Sequence, residues 1–150
     1  MKYYVTGVDA DGKSCVVGDF TVEGQPDTAA VTTIFATAEA PPPPRPAGTG
    51  AGADRDLGLA PGQTQFLVVR WAPDQTAYVH HTDSVDYDVV LSGSIDLVLD
   101  RGDLHLDAGD GVVVAGVDHG WRSGPAGAVV AVTLIGSAPR GDVPTGSRGV

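Results

Sequence analysis

His80–Gly93 reads H-H-T-D-S-V-D-Y-D-V-V-L-S-G, and its reading decides the fold. It sets histidine and carboxylate just ahead of a run of β-formers that ends at glycine. A second histidine, His119, follows in G-V-D-H-G-W (Gly116–Trp121), after another apolar run. Two such segments on neighbouring strands can bring imidazole and carboxylate groups together inside a barrel. Side chains two apart on a strand share a face, so Asp86 and Asp88 are expected on one side.

Working outward, the flanking sequence has the same β character. Gln65–Trp71 (Q-F-L-V-V-R-W), Ala77–His81 and Asp86–Leu91 read as strands, as do Ser94–Asp100 and Asp103–Leu106. Val112–Ala115, His119–Ser123 and Ala128–Ile135 follow, with S-G, R-G-D, A-G-D-G and G-P-A-G as the punctuation. Short strands broken at even intervals by turn residues indicate a sandwich or barrel. Toward the N-terminus, Tyr3–Thr6 and Ser14–Val17 flank the turn D-A-D-G and predict a β-hairpin. Val31–Ala36 predicts one more strand, with a short helix as the alternative.

The composition divides the chain into an N-terminal strand region (1–40), a Pro/Gly-rich loop (41–62), a barrel core (63–136) and a flexible tail (137–150). Pro41–Pro46 reads P-P-P-P-R-P, which can extend neither a ladder nor a helix and predicts a stiff surface loop. The region before it is too short for a core of its own.

A formal charge of −10 argues against nucleic acid and against an acidic membrane surface, both of which demand a basic footprint. The single cysteine, Cys15, precludes an internal disulfide. No apolar run approaches the roughly 20 residues of a membrane helix, and the N-terminus lacks the apolar core of a signal peptide. A cytoplasmic protein is the expectation. No phosphate-cradling loop or dinucleotide fingerprint is present.

The motifs resemble those of the cupin superfamily, small antiparallel β-barrels of the jelly-roll type. That family's first motif is G-x5-H-x-H-x3–4-E-x6-G and its second G-x5-P-x-G-x2-H-x3-N. Asp86 and Gly93 carry the spacing of the glutamate and glycine, His80 and Thr82 fall at the histidine positions, and Gly116 and His119 match the second motif's G-x2-H. Ser123 stands where asparagine is expected. More narrowly, the chain is similar to small single-domain cupins of bacteria and fungi, largely of unassigned function, in which the first segment reads H-R-T-x-S-I-D-Y-x-x-V-L-S-G. The resemblance spans roughly Gln63–Ile135. It implies an all-β, double-stranded jelly-roll barrel with an N-terminal hairpin extension, and a homodimer.

The departures bear on chemistry. The usual second histidine is Thr82, and the glutamate is shortened to Asp86. The resemblance then implies a metal held by His80, Asp86 and His119, with His81 replacing His80 if the strand bulges. Two imidazoles and a carboxylate suit a divalent transition metal (Fe, Mn, Ni, Co or Zn) and leave positions open. The alternative is that these side chains line a metal-free ligand pocket.

Asp88, expected on the same face as Asp86, is a candidate general acid or base, unless it reaches water at a strand end. Tyr87 is a second proton-transfer candidate. Arg70, Trp71, Tyr78, Thr82 and Trp121 are candidates for binding substrate, although a surface position suits Arg70 and a core position the aromatics. His105, alternating with Leu104 and Leu106, is expected in solvent. The functional expectation is a small metal-dependent enzyme acting on a carbonyl- or hydroxyl-bearing metabolite by lyase, dehydratase or isomerase chemistry. The alternatives are an iron-dependent dioxygenase and a non-catalytic small-molecule-binding cup.

Overall fold

The computed structural model describes residues 1–23, 30–40, 53–54 and 59–138. Among these every regular element is a strand: β1 (Lys2–Val8), β2 (Ser14–Thr21), β3 (Ala53–Asp54), β4 (Thr64–Trp71), β5 (His80–His81), β6 (Ser84–Val98), β7 (Leu104–Asp107), β8 (Gly111–Val114) and β9 (Gly120–Gly136). The proline-rich segment 41–46 and most of the tail lie outside the described residues.

The main sheet runs β2-β1-β8-β6-β9-β4, with β7 added to β6, and a small parallel pair joins β3 to β5. β1 and β2 form the expected hairpin, whose turn closes with Gly12 at φ 74° and with the Asp9 carboxylate accepting the backbone N–H groups of Asp11 and Lys13. β1 then lies parallel to β8.

β6 and β9 organise the rest. They pair antiparallel over their whole length, from Ser84 against Gly136 to Val98 against Gly120. The sequence reads each of them as two strands separated by a glycine turn. Instead the glycines bend continuous strands, with register shifts at Val90/Ser92 and Gly93/Ile95. Across the bend β6 exchanges one neighbour for another, pairing β8 through Asp86–Val89 and β7 through Ser94–Leu97. That exchange lets one strand serve both halves of a closed β structure.

Gly93 and Gly127 sit at the bend with φ 73° and φ 72°. A Cβ on Gly93 would collide with the backbone of Gly127, and one on Gly127 with the carbonyl of Trp71. Neither obstacle is a flexible side chain. Gly93→Ala is therefore expected to lower stability by more than about 2 kcal/mol, measured as a fall in the urea unfolding midpoint. An unchanged midpoint would show that the bend tolerates a side chain.

Alternation divides the sheet's two faces. Inside, Tyr4, Val90, Ile95, Leu97, Leu106, Val112, Val114 and Val130 form the barrel core. On the outer face, Val5, Val85 and Val113 pack under Ile34 and Phe35, with Tyr87 beside them. The expected strand at Val31–Ala36 is absent: residues 30–40 are irregular and act as a cover for this outer face. A strand would have needed a sheet edge, whereas Ile34 and Phe35 bury their side chains on a face. Ala77–His81 likewise shortens to β5, because only His80 and His81 find a ladder partner there.

Candidate functional site

The two histidine segments meet directly. His80 N–H donates to the His119 carbonyl at 2.8 Å and His119 N–H to the His80 carbonyl at 2.9 Å. Such a reciprocal pair places both side chains on one face of the ladder, and the ring centroids stand 4.5 Å apart. Each ring is fixed by its own backbone: Nδ1 of His80 lies 3.1 Å from the Tyr78 carbonyl and Nδ1 of His119 lies 2.9 Å from the Val117 carbonyl. A carbonyl can only accept, so each Nδ1 carries a proton, and in neutral His119 the Nε2 then presents a lone pair. Trp121 closes edge-on against His119 at 6.0 Å.

These rings line a cavity of about 200 Å³, together with Leu67, Val69 and Trp71 of β4, Thr82, Asp86 and Asp88 at β6, and Trp121, Val130, Val132 and Leu134 of β9. The wall is thus two-sided. The β4 and β9 positions are aliphatic or indole, and the polar groups cluster where β5 and β6 begin. Period two explains the division, since Leu67, Val69 and Trp71 alternate with the outward-facing Phe66, Val68 and Arg70.

Inside, Ser84 Oγ donates to Asp86 Oδ1 at 2.5 Å, and Thr82 Oγ1 lies 2.8 Å from Ser84 Oγ. Because the Ser84 proton is committed to Asp86, Thr82 is the donor in the second bond. The threonine at a usual histidine position therefore begins a hydroxyl chain that ends on the carboxylate. Burial raises the Asp86 pKa to about 6, a rise that the Ser84 bond partly offsets. Asp88 is also buried and its Oδ1 has no hydrogen-bond partner. Burial first, and the neighbouring Asp86 charge second, hold its pKa well above the carboxylate range. His119 shifts the other way, down to about 4, through burial and then the His80 ring. At neutral pH, about a unit above the Asp86 pKa, His119 is neutral and burial biases Asp88 toward its protonated form.

The structure separates the expected site residues. His80, Thr82, Asp86, Asp88, His119, Trp71 and Trp121 share the cavity. His81 does not: its Nδ1 pairs with Asp118 Oδ1 at 2.7 Å, away from the lining. Arg70 is corrected to the exposed face of β4, and Tyr78 is 61% exposed beside the His80 ring. Tyr87, alternating with Asp86 and Asp88, points outward and packs on Phe35 at 6.2 Å, which withdraws it from proton transfer in this cavity. Ser123, at the expected asparagine position, ties down the 72–75 turn by donating to the Ala72 carbonyl and accepting from Gln75 N–H. His105 is exposed and bonds Asp96.

Sequence reasoning missed Ser84 and Asp118, whose partners lie across the fold or one turn of pleat away. It also missed the aliphatic wall. Odd-numbered alternation in β4 and even-numbered alternation in the second half of β9 were the available signals for that wall.

His80, Asp86 and His119, the expected metal ligands, line one cavity, although among the described residues no three His, Cys, Asp or Glu side chains are grouped closely enough to share one ion. The two imidazoles face each other, and Asp86 accepts from Ser84 with its other lone pairs left over. Among the same residues no helix is long and apolar enough to cross a membrane.

No family model matches the chain. Over 64 residues it is 44% identical to phomopsin biosynthesis cluster proteins C' and D of Diaporthe leptostromiformis, a match covering 42% of this chain and 34% of each relative. The match spans about a third of the length of those curated relatives. Among solved structures, an RmlC-like cupin from Shewanella frigidimarina is similar at 21% identity and TM-score 0.45, over 54% of this chain and 71% of that one. A polyketide cyclase from Streptomyces resistomycificus is similar at 21% identity and TM-score 0.44, over 51% and 56%. On its own strand order, and on the meeting of its two histidine segments inside one barrel, the chain has the fold of the cupin superfamily.

Proposed function

We propose that the protein is an enzyme of small-molecule metabolism that moves a proton on a carbonyl- or hydroxyl-bearing substrate, by lyase, dehydratase or isomerase chemistry. One observation carries this reading: two buried carboxylates, Asp86 and Asp88, line the same cavity in unlike settings, Asp86 accepting from Ser84 and Asp88 leaving Oδ1 without a partner. Neighbouring titratable groups pushed apart in pKa divide the acid and base roles between them. Asp86, bonded by Ser84 and with a pKa near 6, is the base; Asp88, whose pKa burial raises, is the acid. His119, with its pKa near 4, is too weak a base for this task. Its Nε2 instead accepts a hydrogen bond from the substrate and fixes its orientation. The aliphatic and indole wall excludes water around the reacting carbon. The partial match to proteins of a phomopsin biosynthesis cluster supports a biosynthetic role.

Exchange of carbon-bound hydrogen tests the reading without knowledge of the substrate. In D2O, the protein should accelerate deuterium incorporation next to the carbonyl of hydroxyacetone, 4-hydroxy-2-butanone or 2-hydroxycyclohexanone, followed by proton NMR. No acceleration with any of the three, relative to heat-denatured protein, would count against it. A second reading, a non-catalytic ligand cup, is favoured by the mainly aliphatic and indole wall of the cavity. It predicts saturable binding of these compounds without exchange.

A further inference from the structure

The polar end of the cavity carries a request that no protein group answers. Asp88 is 5% exposed, faces inward with Asp86, and leaves Oδ1 without a partner. Buried polar groups are almost always bonded, so an orphan aimed into a cavity marks a place for a ligand atom. The surroundings restrict what that ligand is. A second carboxylate, Asp86, shares the wall, and the lining residues among those described include no lysine or arginine. An anion entering here would meet like charge with no counter-ion, at a cost steepened by the low dielectric. The Nε2 of His119, whose Nδ1 is bound to the Val117 carbonyl, is a further acceptor in the lining. Apart from these groups, His80 and Thr82, the lining is aliphatic or indole. At about 200 Å³ the space is below the roughly 300–1,000 Å³ of pockets that enclose drug-sized ligands.

We infer that the cavity selects an uncharged, compact molecule with an apolar or aromatic body and a hydroxyl group that bonds Asp88 at the polar end, and that it rejects carboxylates and phosphates. A hydroxyl both donates and accepts, so it satisfies Asp88 in either protonation state. The inference rests on the cavity being the ligand site, as the proposed function does, but not on any turnover there.

Three matched probes test it: benzyl alcohol, toluene and benzoate, each titrated into the full chain at pH 7 and followed by protein NMR shifts. Benzyl alcohol should bind at least about tenfold more tightly than either of the others, with shifts at Trp71, Trp121 and Val132. Asp88→Leu should erase the preference for benzyl alcohol over toluene. Should that variant fail to fold, Asp88→Asn serves in its place and should retain binding of the alcohol. Benzoate binding as tightly as the alcohol, equal binding of alcohol and toluene, or no binding of any probe at millimolar concentration would each overturn the inference. Selective binding of benzyl alcohol together with absent deuterium exchange would leave it standing and remove the catalytic reading alone.

Discussion

Stability should fall as pH rises from about 4 to 6.5 in the parent protein, level off when Asp86 is replaced, and fall more steeply when His119 is replaced. Asp86 titrates near 6 in the folded chain against 3.8 for a free carboxylate. Its folded pKa is raised, so its contribution to stability is fully present below about 3.8 and is lost as pH rises through 6. His119 titrates near 4 against 6.5. Its folded pKa is lowered, so the unfolded chain takes up the proton first, and stability is lost as pH falls from 6.5 toward 4. Each shift corresponds to about 3 kcal/mol at 1.36 kcal/mol per pKa unit, with opposite signs over nearly the same window. Asp88 is a second carboxylate with a raised pKa and also loses stability as pH rises from about 4. Asp86→Asn or Asp88→Asn should therefore leave stability nearly level across this window, and His119→Asn should steepen the loss on raising the pH. Urea unfolding at unit steps from pH 4 to 8 checks all three. Parallel curves for parent and variants would mean that the carboxylate and imidazole are not desolvated as their burial implies.

The residues that made the fold legible are those whose role is local. The period-two pattern and the H-x5-D-x6-G spacing of His80, Asp86 and Gly93 follow from strand geometry and a bend, and both are visible in one dimension. The same glycines misled as to strand number. Gly93 and Gly127 adopt the left-handed conformation that turns require, but here they bend paired strands, and the difference depends on whether the ladder resumes beyond them. The irregular segment around Ile34 and Phe35 was read as a strand because its composition fits one. Its actual partner is a sheet face built from β1, β6 and β8, which no local signal records. At the site, alternation was sufficient to pair Asp86 with Asp88, but the same alternation puts Tyr87 on the other face, against the expectation that it transfers a proton. The convergence of His80 with His119 came from the family spacing and needed the barrel to realise it. The Ser84 hydroxyl that bonds Asp86 lies two residues away on the same strand face, yet its proton's direction depends on the carboxylate's burial, which the sequence does not record.

Replacing Asp86 with asparagine should lower deuterium exchange by roughly 10²–10⁴-fold, the usual contribution of a positioned general base. The amide keeps the shape and can still accept from Ser84, so the loss would be chemical rather than architectural. Below pH 4 the same substitution should stabilise nothing, since the parent carboxyl is protonated there, while at pH 7 the variant is expected to be the more stable protein. Lower exchange together with higher stability is a combination that simple misfolding cannot produce. His119→Ala should reduce exchange by only about tenfold, equivalent to one orienting hydrogen bond of roughly 1.4 kcal/mol. His81→Ala, outside the cavity and paired with Asp118, should leave exchange unchanged per folded molecule. In the parent protein, exchange should rise with pH through about 6 as Asp86 ionises, and fall at higher pH once Asp88 loses its proton. A profile that rises near pH 6 and survives intact in Asp86→Asn would assign the base elsewhere. Loss of exchange in His119→Ala as complete as in Asp86→Asn would reverse the roles of imidazole and carboxylate.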